Sequence, residues 1–374
     1  MKEIDKKSNP RAISEDDFQA LVYLRLFEGC NLHCDHCFIP SNPKRMTMDM
    51  ISGVTNTMRK ITKDDASVLL QWHGGEPTAL GLTYLTEAVE SIERTKGDLN
   101  ITHSIQTNLL NYSSEWAPLY HKYFGSSVGV SWDYQIRKIR NSMSNKEYED
   151  IFWDKLKQLV SDGLEPYFVV TGTRVFFERF KNPIELFEIL ESEGVYRLHI
   201  ERLTEVGYAR DNWDRIGVNN LEYSTYMSRF YRAYRLHLKN KQVNEEVKVI
   251  RMSPFDGLES SILDLLHGSP TVGYGCLSGA CDTRFHTIDA NGYKAGCTAL
   301  TSEYDNKRVS SDVQVIRFFD LQEARVDRQL TCNGCEFKPI CSSGCLALEK
   351  FDYSNECSGA KILFSEIKKF NALK

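Results

Sequence analysis

Apolar stretches typical of buried β-strands alternate with amphipathic helical stretches six times between residues 21 and 205. The predicted strands are 21–27, 67–73, 101–107, 127–132, 166–175 and 196–203. Strands that alternate with helices predict a parallel sheet with helical crossovers. Six such units are fewer than the eight strands of a closed barrel. The pattern therefore fits either an open, partly closed barrel or a doubly wound sheet.

Three further parts flank this α/β segment. Residues 1–20 form a polar tail, and residues 206–275 read as a mostly helical connecting region. Residues 276–374 are turn-rich and cysteine-rich and end in an amphipathic helix. We therefore predict an α/β domain at 21–205, joined by a helical region to a C-terminal domain that begins at residue 276.

Composition and charge narrow the classes of function. With 41% hydrophobic and 26% charged residues, the chain has the composition of a globular protein. Its net charge of −5 and the lack of a basic stripe predict no nucleic-acid partner. No apolar run approaches the roughly 20 residues of a membrane helix, and the charged N-terminus lacks the apolar segment of a secretory signal. We expect a cytoplasmic protein with no membrane partner.

The eleven cysteines are clustered along the chain. Three lie within residues 30–37, none lies between Cys37 and Cys276, and the other eight lie between Cys276 and Cys357. A structural core would scatter them. Because disulfides are disfavoured in a reducing cytosol, clustered cysteines there indicate metal binding or catalysis.

The first cluster has the spacing C-x3-C-x2-C in Cys30, Cys34 and Cys37, directly after the first predicted strand. Three thiolates can hold three irons of a [4Fe–4S] cube, which leaves the fourth iron open as a reaction site. Zinc is the alternative, because His33 and His36 could complete a four-ligand site.

This loop resembles the signature of the radical SAM superfamily. The resemblance implies that the open iron chelates S-adenosylmethionine through its amino and carboxylate groups. It also implies that an electron from the cluster cleaves that molecule into a 5′-deoxyadenosyl radical, which abstracts a substrate hydrogen. Gly74, Gly75 and Glu76, at the end of the second predicted strand, resemble the family's GGE motif, which meets the methionine amine. A plain turn ending a strand is the alternative for these three residues.

Polar residues also close the later predicted strands. By resemblance, Ser131 binds the ribose or carboxylate of S-adenosylmethionine, Arg174 on the fifth strand binds the carboxylate, and Leu203 touches the adenine. Gln106 and Asn108 belong either to the same pocket or to a cap of the third strand.

The C-terminal cysteines resemble the seven-cysteine SPASM pattern, with an eighth thiol upstream as in enzymes similar to the anaerobic sulfatase-maturating type. Eight thiolates are what two fully ligated [4Fe–4S] clusters require. By resemblance, auxiliary cluster one is held by Cys276, Cys281, Cys297 and Cys345. Auxiliary cluster two is held by Cys332, Cys335, Cys341 and Cys357. The implied fold is a partial (β/α)6 TIM-like barrel with a C-terminal iron–sulfur domain, and the alternative for the latter is a zinc ribbon.

The chain departs from the sulfatase-maturating pattern at one position. Those enzymes carry a catalytic Asp next to the third SPASM cysteine, where this chain has Thr298 after Cys297. The departure argues against formylglycine chemistry. The candidate bases are Asp133, Glu201, Asp282 and Tyr293, although Glu201 could instead form a buried ion pair with Arg202.

The function that the resemblance implies is a maturase that oxidises, and often cross-links, a ribosomally made peptide or protein. Its partners would be that substrate, an electron donor such as flavodoxin or ferredoxin, and a separate leader-peptide-binding protein. Because the first cluster cysteine stands at residue 30, we expect the substrate to be recognised by the barrel mouth, by the segment of residues 206–275 or by such a separate protein. A radical SAM dehydrogenase of a small molecule, such as an amino-sugar alcohol, is one alternative. A non-catalytic iron–sulfur or zinc module is the other.

Overall fold

The computed structural model describes residues 18–39, 44–62, 66–241, 248–306 and 318–372. The strands in these ranges are β1 (Ala20–Phe27), β2 (Leu32–Cys34), β3 (Ser67–Gly74), β4 (Asn100–Thr107), β5 (Ser127–Ser131), β6 (Arg137–Ile139), β7 (Glu165–Gly172), β8 (Arg197–Arg202), β9 (Arg251–Ser253), β10 (Phe285–Asp289) and β11 (Gly292–Ala295). The α-helices are α1 (Met48–Ile61), α2 (Leu82–Thr95), α3 (Ala117–Tyr123), α4 (Asn145–Ser161), α5 (Arg174–Arg179), α6 (Pro183–Ser192), α7 (Tyr208–Asp211), α8 (Trp213–Ile216), α9 (Asn220–Lys241), α10 (Phe255–Leu266), α11 (Thr298–Asn306), α12 (Phe318–Leu330) and α13 (Lys361–Ala372). None of the helices within the described ranges combines the length and apolar character needed to cross a membrane.

Nine strands form one sheet in the order β11-β10-β1-β3-β4-β5-β7-β8-β9. All neighbours are parallel except the antiparallel hairpin of β10 and β11. The six predicted strands are confirmed as β1, β3, β4, β5, β7 and β8. Within the described residues the sheet runs from β11 to β9 without closing, so the expectation of an open rather than a closed barrel is also confirmed.

The structure adds strands where none was predicted. β9 lies in the region expected to be helical and pairs with β8. β10 comes from the cysteine-rich segment and pairs in parallel with β1, so that Leu21 stands opposite Phe285. The boundary predicted at residue 276 thus divides the sequence but not the sheet. The four-part division of the chain stays a prediction.

The fifth predicted strand ends earlier than expected. β7 stops at Gly172, and the Thr173 hydroxyl accepts a hydrogen bond from the backbone N–H of Phe176 at 3.2 Å. This side-chain cap starts α5 at Arg174. The prediction that Arg174 lies on a strand is therefore wrong, because a capping threonine turns the chain into a helix just before it.

The two faces of the sheet have different surroundings. On the outer face, Val68, Leu70 and Trp72 of β3 are fully buried in one apolar core with Val54 of α1 and Leu85 of α2. Because successive strand residues point to opposite faces, the residues between them point inward. These inner positions are polar along several strands, and they surround the cavity described next.

Candidate active site

A cavity of about 720 Å³ occupies the inner face of the sheet. Gly74 and Ser131 line it at the carboxyl ends of their strands, and Thr102 and Ser127 line it near the amino ends of theirs. Ligand sites of parallel sheets form at the carboxyl ends of the strands. The cysteines of the first cluster, Cys30, Cys34 and Cys37, line the cavity at that end.

The loop that carries these cysteines is fastened to the end of β3. The backbone N–H of Gly75 donates to the carbonyl of Phe27 at 2.8 Å, and that of Glu76 donates to the carbonyl of Gly29 at 3.1 Å. A Cβ atom on Gly75 would stand 2.3 Å from the Gly29 oxygen, and one on Gly74 would stand 2.3 Å from the Phe27 oxygen. Glycine at both positions therefore permits the close approach of two backbones, here between the turn and the cysteine loop.

Glu76 is a buried carboxylate with a full set of donors. Its Oε1 accepts from the Thr78 N–H at 3.0 Å and from the hydroxyls of Thr78 and Thr107, each at 2.7 Å. Its Oε2 accepts from the backbone N–H of Asn108 at 2.8 Å. Burial raises the pKa of this carboxyl above its ordinary value, although the hydrogen bonds oppose that shift. Glu76 thus fixes the end of β4 against the end of β3.

The three thiols of the cysteine loop lie in surroundings that disfavour their ionised form, the thiolate. Burial, followed by the negative charge of Glu76, raises the pKa of Cys30 to about 12. Burial also raises the pKa of Cys34 and of Cys37. Because iron binding requires the deprotonated form, a positive centre held by all three sulfurs would stabilise the thiolates that burial disfavours. The donor set therefore fits an iron–sulfur cluster.

Most residues predicted to bind S-adenosylmethionine lie together around the cavity. Gln106 and Ser131 line it and are joined by a hydrogen bond from Gln106 Nε2 to Ser131 Oγ at 2.7 Å. Asn108 lines it as well, and its Nδ2 lies 3.9 Å from the Sγ of Cys30. Leu203 is buried in the wall.

Arg174 stands apart from this group. It does not line the cavity, and its Nη1 and Nη2 donate to the two carboxylate oxygens of Glu222 at 2.7 and 3.1 Å. The role of Arg174 at the carboxylate of S-adenosylmethionine stays a prediction, and in this structure the helix that begins there directs the guanidinium to α9.

The C-terminal cysteines divide into two groups. Cys276, Cys297 and Cys345 line the large cavity, and Cys281 is buried close enough to Cys297 for a negative charge on either to disfavour one on the other. This first group is the set expected to hold auxiliary cluster one. Its position beside the main cavity would place that cluster close to a bound substrate.

The second group surrounds a separate small cavity. Its wall contains all four cysteines expected to hold auxiliary cluster two, namely Cys332, Cys335, Cys341 and Cys357. Among the described residues, no three His, Cys, Asp or Glu side chains meet in the geometry of a single metal ion. A four-iron cube separates its ligand sulfurs more widely than one ion does, because a different iron stands behind each sulfur.

Of the four candidate bases, Glu201 lines the main cavity. Asp133 is buried against Arg137 and the Thr171 N–H, and Asp282 is buried against Arg325. Neither carboxylate lines the cavity. Tyr293 lies on the edge strand β11, where its hydroxyl is 3.0 Å from Nδ1 of His286. Ion pairs or the sheet edge hold these three residues away from the cavity in this structure, and their role as bases stays a prediction.

Glu201 belongs to a polar chain that the sequence analysis missed. Its Oε2 lies 3.0 Å from Nε2 of His199, whose Nδ1 lies 2.9 Å from Oγ of Ser253. That oxygen lies 3.2 Å from the hydroxyl of Tyr274, and all four residues line the cavity. Burial is the largest influence and opposes ionisation of Glu201, but the hydrogen bond from His199, the charge of that ring and the backbone N–H of Arg202 together lower the pKa of the carboxyl. The signal available in the sequence was the spacing of two residues between His199 and Glu201, which puts both on the same face of a strand.

The expected ion pair between Glu201 and Arg202 is not formed. The two residues point to opposite faces of β8. The Nη2 of Arg202 donates to Oδ1 of Asn220 at 2.6 Å, and its guanidinium lies 4.0 Å from the ring centre of Tyr223.

Comparison with known proteins places this architecture. Residues 24–187 match the family model described as the radical SAM superfamily. An uncharacterized protein of Synechocystis sp., sll1766, is 29% identical over 121 residues, 30% of this chain and 30% of that protein. A cysteine-type anaerobic sulfatase-maturating enzyme of Clostridium novyi is 21% identical over 356 residues, 87% of each chain. The match to sll1766 thus spans under a third of that relative's length.

Two solved structures share the fold over almost all of this chain. Native anSMEcpe with bound AdoMet and Cp18Cys peptide aligns with a TM-score of 0.67 and 17% identity, over 94% of this chain and 96% of that chain. Streptococcus suis SuiB bound to precursor peptide SuiA aligns with a TM-score of 0.51 and 16% identity, over 92% of this chain and 71% of that chain. The mixed α/β fold with its parallel sheet is the fold of both structures.

Proposed function

On the premise that residues 24–187 form a radical SAM domain, we propose that the protein is a maturase that cleaves S-adenosylmethionine and oxidises a side chain of a peptide or protein. One observation carries the proposal. A single cavity contains the cysteine loop of residues 30–37, the glycine turn of residues 74–76 and three of the C-terminal cysteines. When bound, the cluster and S-adenosylmethionine would supply a carbon-centred radical that removes a hydrogen atom from the substrate.

The cysteines would hold three [4Fe–4S] clusters. Cys30, Cys34 and Cys37 would hold the cluster that meets S-adenosylmethionine, beside Gly74, Gly75 and Glu76. The other eight would hold the auxiliary pair in the two groups described above. Fully ligated clusters offer no open iron to a substrate, so they are suited to carrying electrons.

The substrate class is proposed from the cavity and the structural relatives. The cavity is large, and its lining surface is mainly apolar with polar side chains placed among it, as a site that encloses part of an organic ligand such as a peptide requires. The related structures contain peptides, Cp18Cys and SuiA respectively. A peptide or protein whose side chain enters the cavity is the substrate that we favour, and a cross-link is one product consistent with its oxidation.

Residues of the cavity wall would orient the substrate and accept its proton. Glu201 stands on β8, four strands along the sheet from β3 and its glycine turn, and His199 favours the ionised form of its carboxylate. We assign Glu201 as the base that accepts the proton released on oxidation, with His199 as the residue that positions it. The electron donor, expected to be a flavodoxin or ferredoxin, and a separate leader-binding protein complete the proposal, in a reducing cytoplasm.

The first test counts iron and measures SAM cleavage. The anaerobically reconstituted protein should contain roughly twelve irons and release 5′-deoxyadenosine from S-adenosylmethionine under reduction. The Cys30→Ala, Cys34→Ala, Cys37→Ala triple variant should keep about eight irons and release none. A protein with about four irons plus zinc would contradict the auxiliary clusters. A protein with about twelve irons that fails to cleave S-adenosylmethionine would contradict the proposal that it is an enzyme of this kind.

The second test identifies the substrate. Short peptides encoded beside the gene would be co-expressed anaerobically with the protein, and their intact masses measured. A loss of two hydrogen atoms per site, absent with the triple variant, is the expected result. Release of 5′-deoxyadenosine without any change of mass in these peptides would count against the peptide proposal and favour a small-molecule substrate.

A further inference from the structure

The small cavity surrounded by the second cysteine group has a positively charged wall. Besides its four thiols, it is lined by Lys338, Lys350 and Lys361. No Asp or Glu of the described chain belongs to that wall. A cluster with four thiolate ligands is an anion, and reduction adds one further negative charge. A positively charged wall therefore favours the reduced form of such a cluster.

One of these lysines touches a ligand sulfur. The Nζ of Lys350 donates to the Sγ of Cys332 at 3.0 Å. The same ammonium donates to the carbonyl of Arg328 and the hydroxyl of Thr331, so three acceptors fix its position against the sulfur. No carboxylate among the described residues pairs with Lys350. Its charge is therefore not neutralised locally.

The first cysteine group offers a contrast. There the Nη2 of Arg325 donates to the Sγ of Cys281 at 2.9 Å. The Nε of the same arginine donates to the carboxylate of Asp282, also at 2.9 Å. Because an anion sits on this guanidinium, its positive charge is offset before it acts on the sulfur. The cation beside Cys332 has no such offset.

We propose that Lys350 is a positioning residue that raises the reduction potential of the cluster that Cys332, Cys335, Cys341 and Cys357 would hold. Hydrogen bonds to ligand sulfurs and net charge are the protein's means of setting such potentials. The inference rests on the proposed function, because it requires the auxiliary clusters. It makes the second group a better electron acceptor than the same group would be without the lysine.

The number of electrons that the substrate loses gives the reduction potential of the second group a role. Removal of a hydrogen atom and then of a proton leaves one electron to be taken from the substrate. The clusters that the two cysteine groups would hold supply acceptors for that electron, and the first group lies beside the main cavity. A one-electron carrier protein would finally remove the electron, and the proton would go to a base of the cavity. Lys350 would favour the electron's residence on the second group.

The test measures potentials without needing the substrate. The triple variant Cys30→Ala, Cys34→Ala, Cys37→Ala, reconstituted as the full chain, should show two auxiliary transitions in a potentiometric titration followed by electron paramagnetic resonance. Adding Lys350→Met should move one transition to lower potential. We expect about a tenfold change in the reduction equilibrium, which is about 59 mV for a one-electron couple.

Two further variants separate charge from structure. Lys350→Arg keeps the charge and should restore most of the parental potential. Lys338→Met removes a lysine from the same wall whose Nζ instead lies 3.4 Å from Asn333, and it should have the smaller effect. Lys350→Gln removes the charge but keeps an N–H donor for the sulfur. Its potential would be measured in place of that of Lys350→Met if the Met variant loses its cluster.

Either of two results would overturn the inference. Unmoved transitions in Lys350→Met at full iron content would show that the lysine does not set the potential. Loss of four irons in both the Met and the Gln variants would show that it only holds the loop. A parent with no auxiliary transitions would contradict the proposed function instead, so the two failures are distinguishable.

Discussion

The carboxylate of Asp133 lies 2.6 Å from Nη2 of Arg137, and both side chains are nearly removed from solvent. β6 carries Arg137 and pairs with β2 so that Arg137 stands opposite Cys34, with its Nη1 4.0 Å from the Cys34 sulfur. The ion pair therefore sets a positive charge beside a thiol of the first cluster. Asp133 acts on the cysteine loop through Arg137 and through His36, whose Nε2 lies 3.4 Å from the same carboxylate.

Replacing Asp133 with Asn should destabilise the fold. Removal of one partner leaves the guanidinium of Arg137 buried without its counter-charge, which costs about 3–5 kcal/mol. Chemical denaturation of the reconstituted protein would measure this. Asp150→Asn breaks the exposed pair with Lys146 and should leave stability unchanged. Parental stability combined with a selective loss of product would instead identify Asp133 as a catalytic base.

Gly75→Ala should push the cysteine loop away from β3. The added methyl would meet the Gly29 and Glu28 carbonyl oxygens at 2.3 and 2.7 Å. Overpacking of this kind costs about 1–3 kcal/mol, and it should also lower the iron content of the first cluster. Gly53→Ala in α1 is the matched control, because nothing lies within 4 Å of its new methyl. That change should stabilise the helix by about 0.5–1 kcal/mol. Equal iron content and stability in both variants would refute the packing argument.

The sequence predicted those parts of the fold that have a local signature. Six strands of five to eight residues carry continuous or alternating apolar patterns, and all six are present. The cysteine spacings also predicted the two C-terminal groups that the cavities bring together. β9 has three residues, too few for any periodicity. β10 is set by pairing with β1, more than 250 residues away in sequence.

Which side chains contact each other in the folded chain was harder to predict from the sequence. Arg174 was misplaced because one threonine cap decides where β7 gives way to α5. Asp133 and Asp282 are polar residues near motifs, yet their roles depend on which arginine reaches them. The contact between Lys350 and Cys332 joins residues 18 positions apart across an irregular segment. Such pairings follow from tertiary packing, which residue spacing does not encode.

Stability should fall with acid partly through His286. Burial lowers the pKa of this ring to about 4, so between the ordinary value of about 6.5 and pH 4 the unfolded chain binds a proton that the folded chain does not. The folded state therefore loses stability as pH falls through this window. His286→Gln should gain about 2 kcal/mol relative to the parent between pH 7 and pH 5.

Denaturation midpoints of parent and variant at each pH would measure the effect. His267→Gln, at an exposed position, supplies the matched control for the loss of an imidazole. A constant difference between His286→Gln and the parent across the pH range would contradict the assignment.

Removal of iron should loosen residues 332–357 first. Within that stretch the described backbone contains a single short 3-10 helix, Lys338–Ile340, and little other regular structure. Its order would depend on four sulfurs bound to one cluster, since metal-binding energy in such segments is folding energy. Limited proteolysis with mass mapping should find new cleavage there after chelation, while the sheet stays protected. Identical cleavage with and without iron would contradict this prediction.

Because β10 pairs with β1, the protein cannot be truncated or recombined between these two strands without exposing an edge of the sheet. A chain shortened before residue 276 would expose one edge of β1 along residues 21–25, with its backbone groups unpaired. β1 is also the strand that leads into the loop of Cys30. The barrel and the cysteine-rich region are therefore not interchangeable modules. A shortened chain should aggregate through its bare edge, and a graft of this C-terminal region onto another barrel must bring a strand that fits β1.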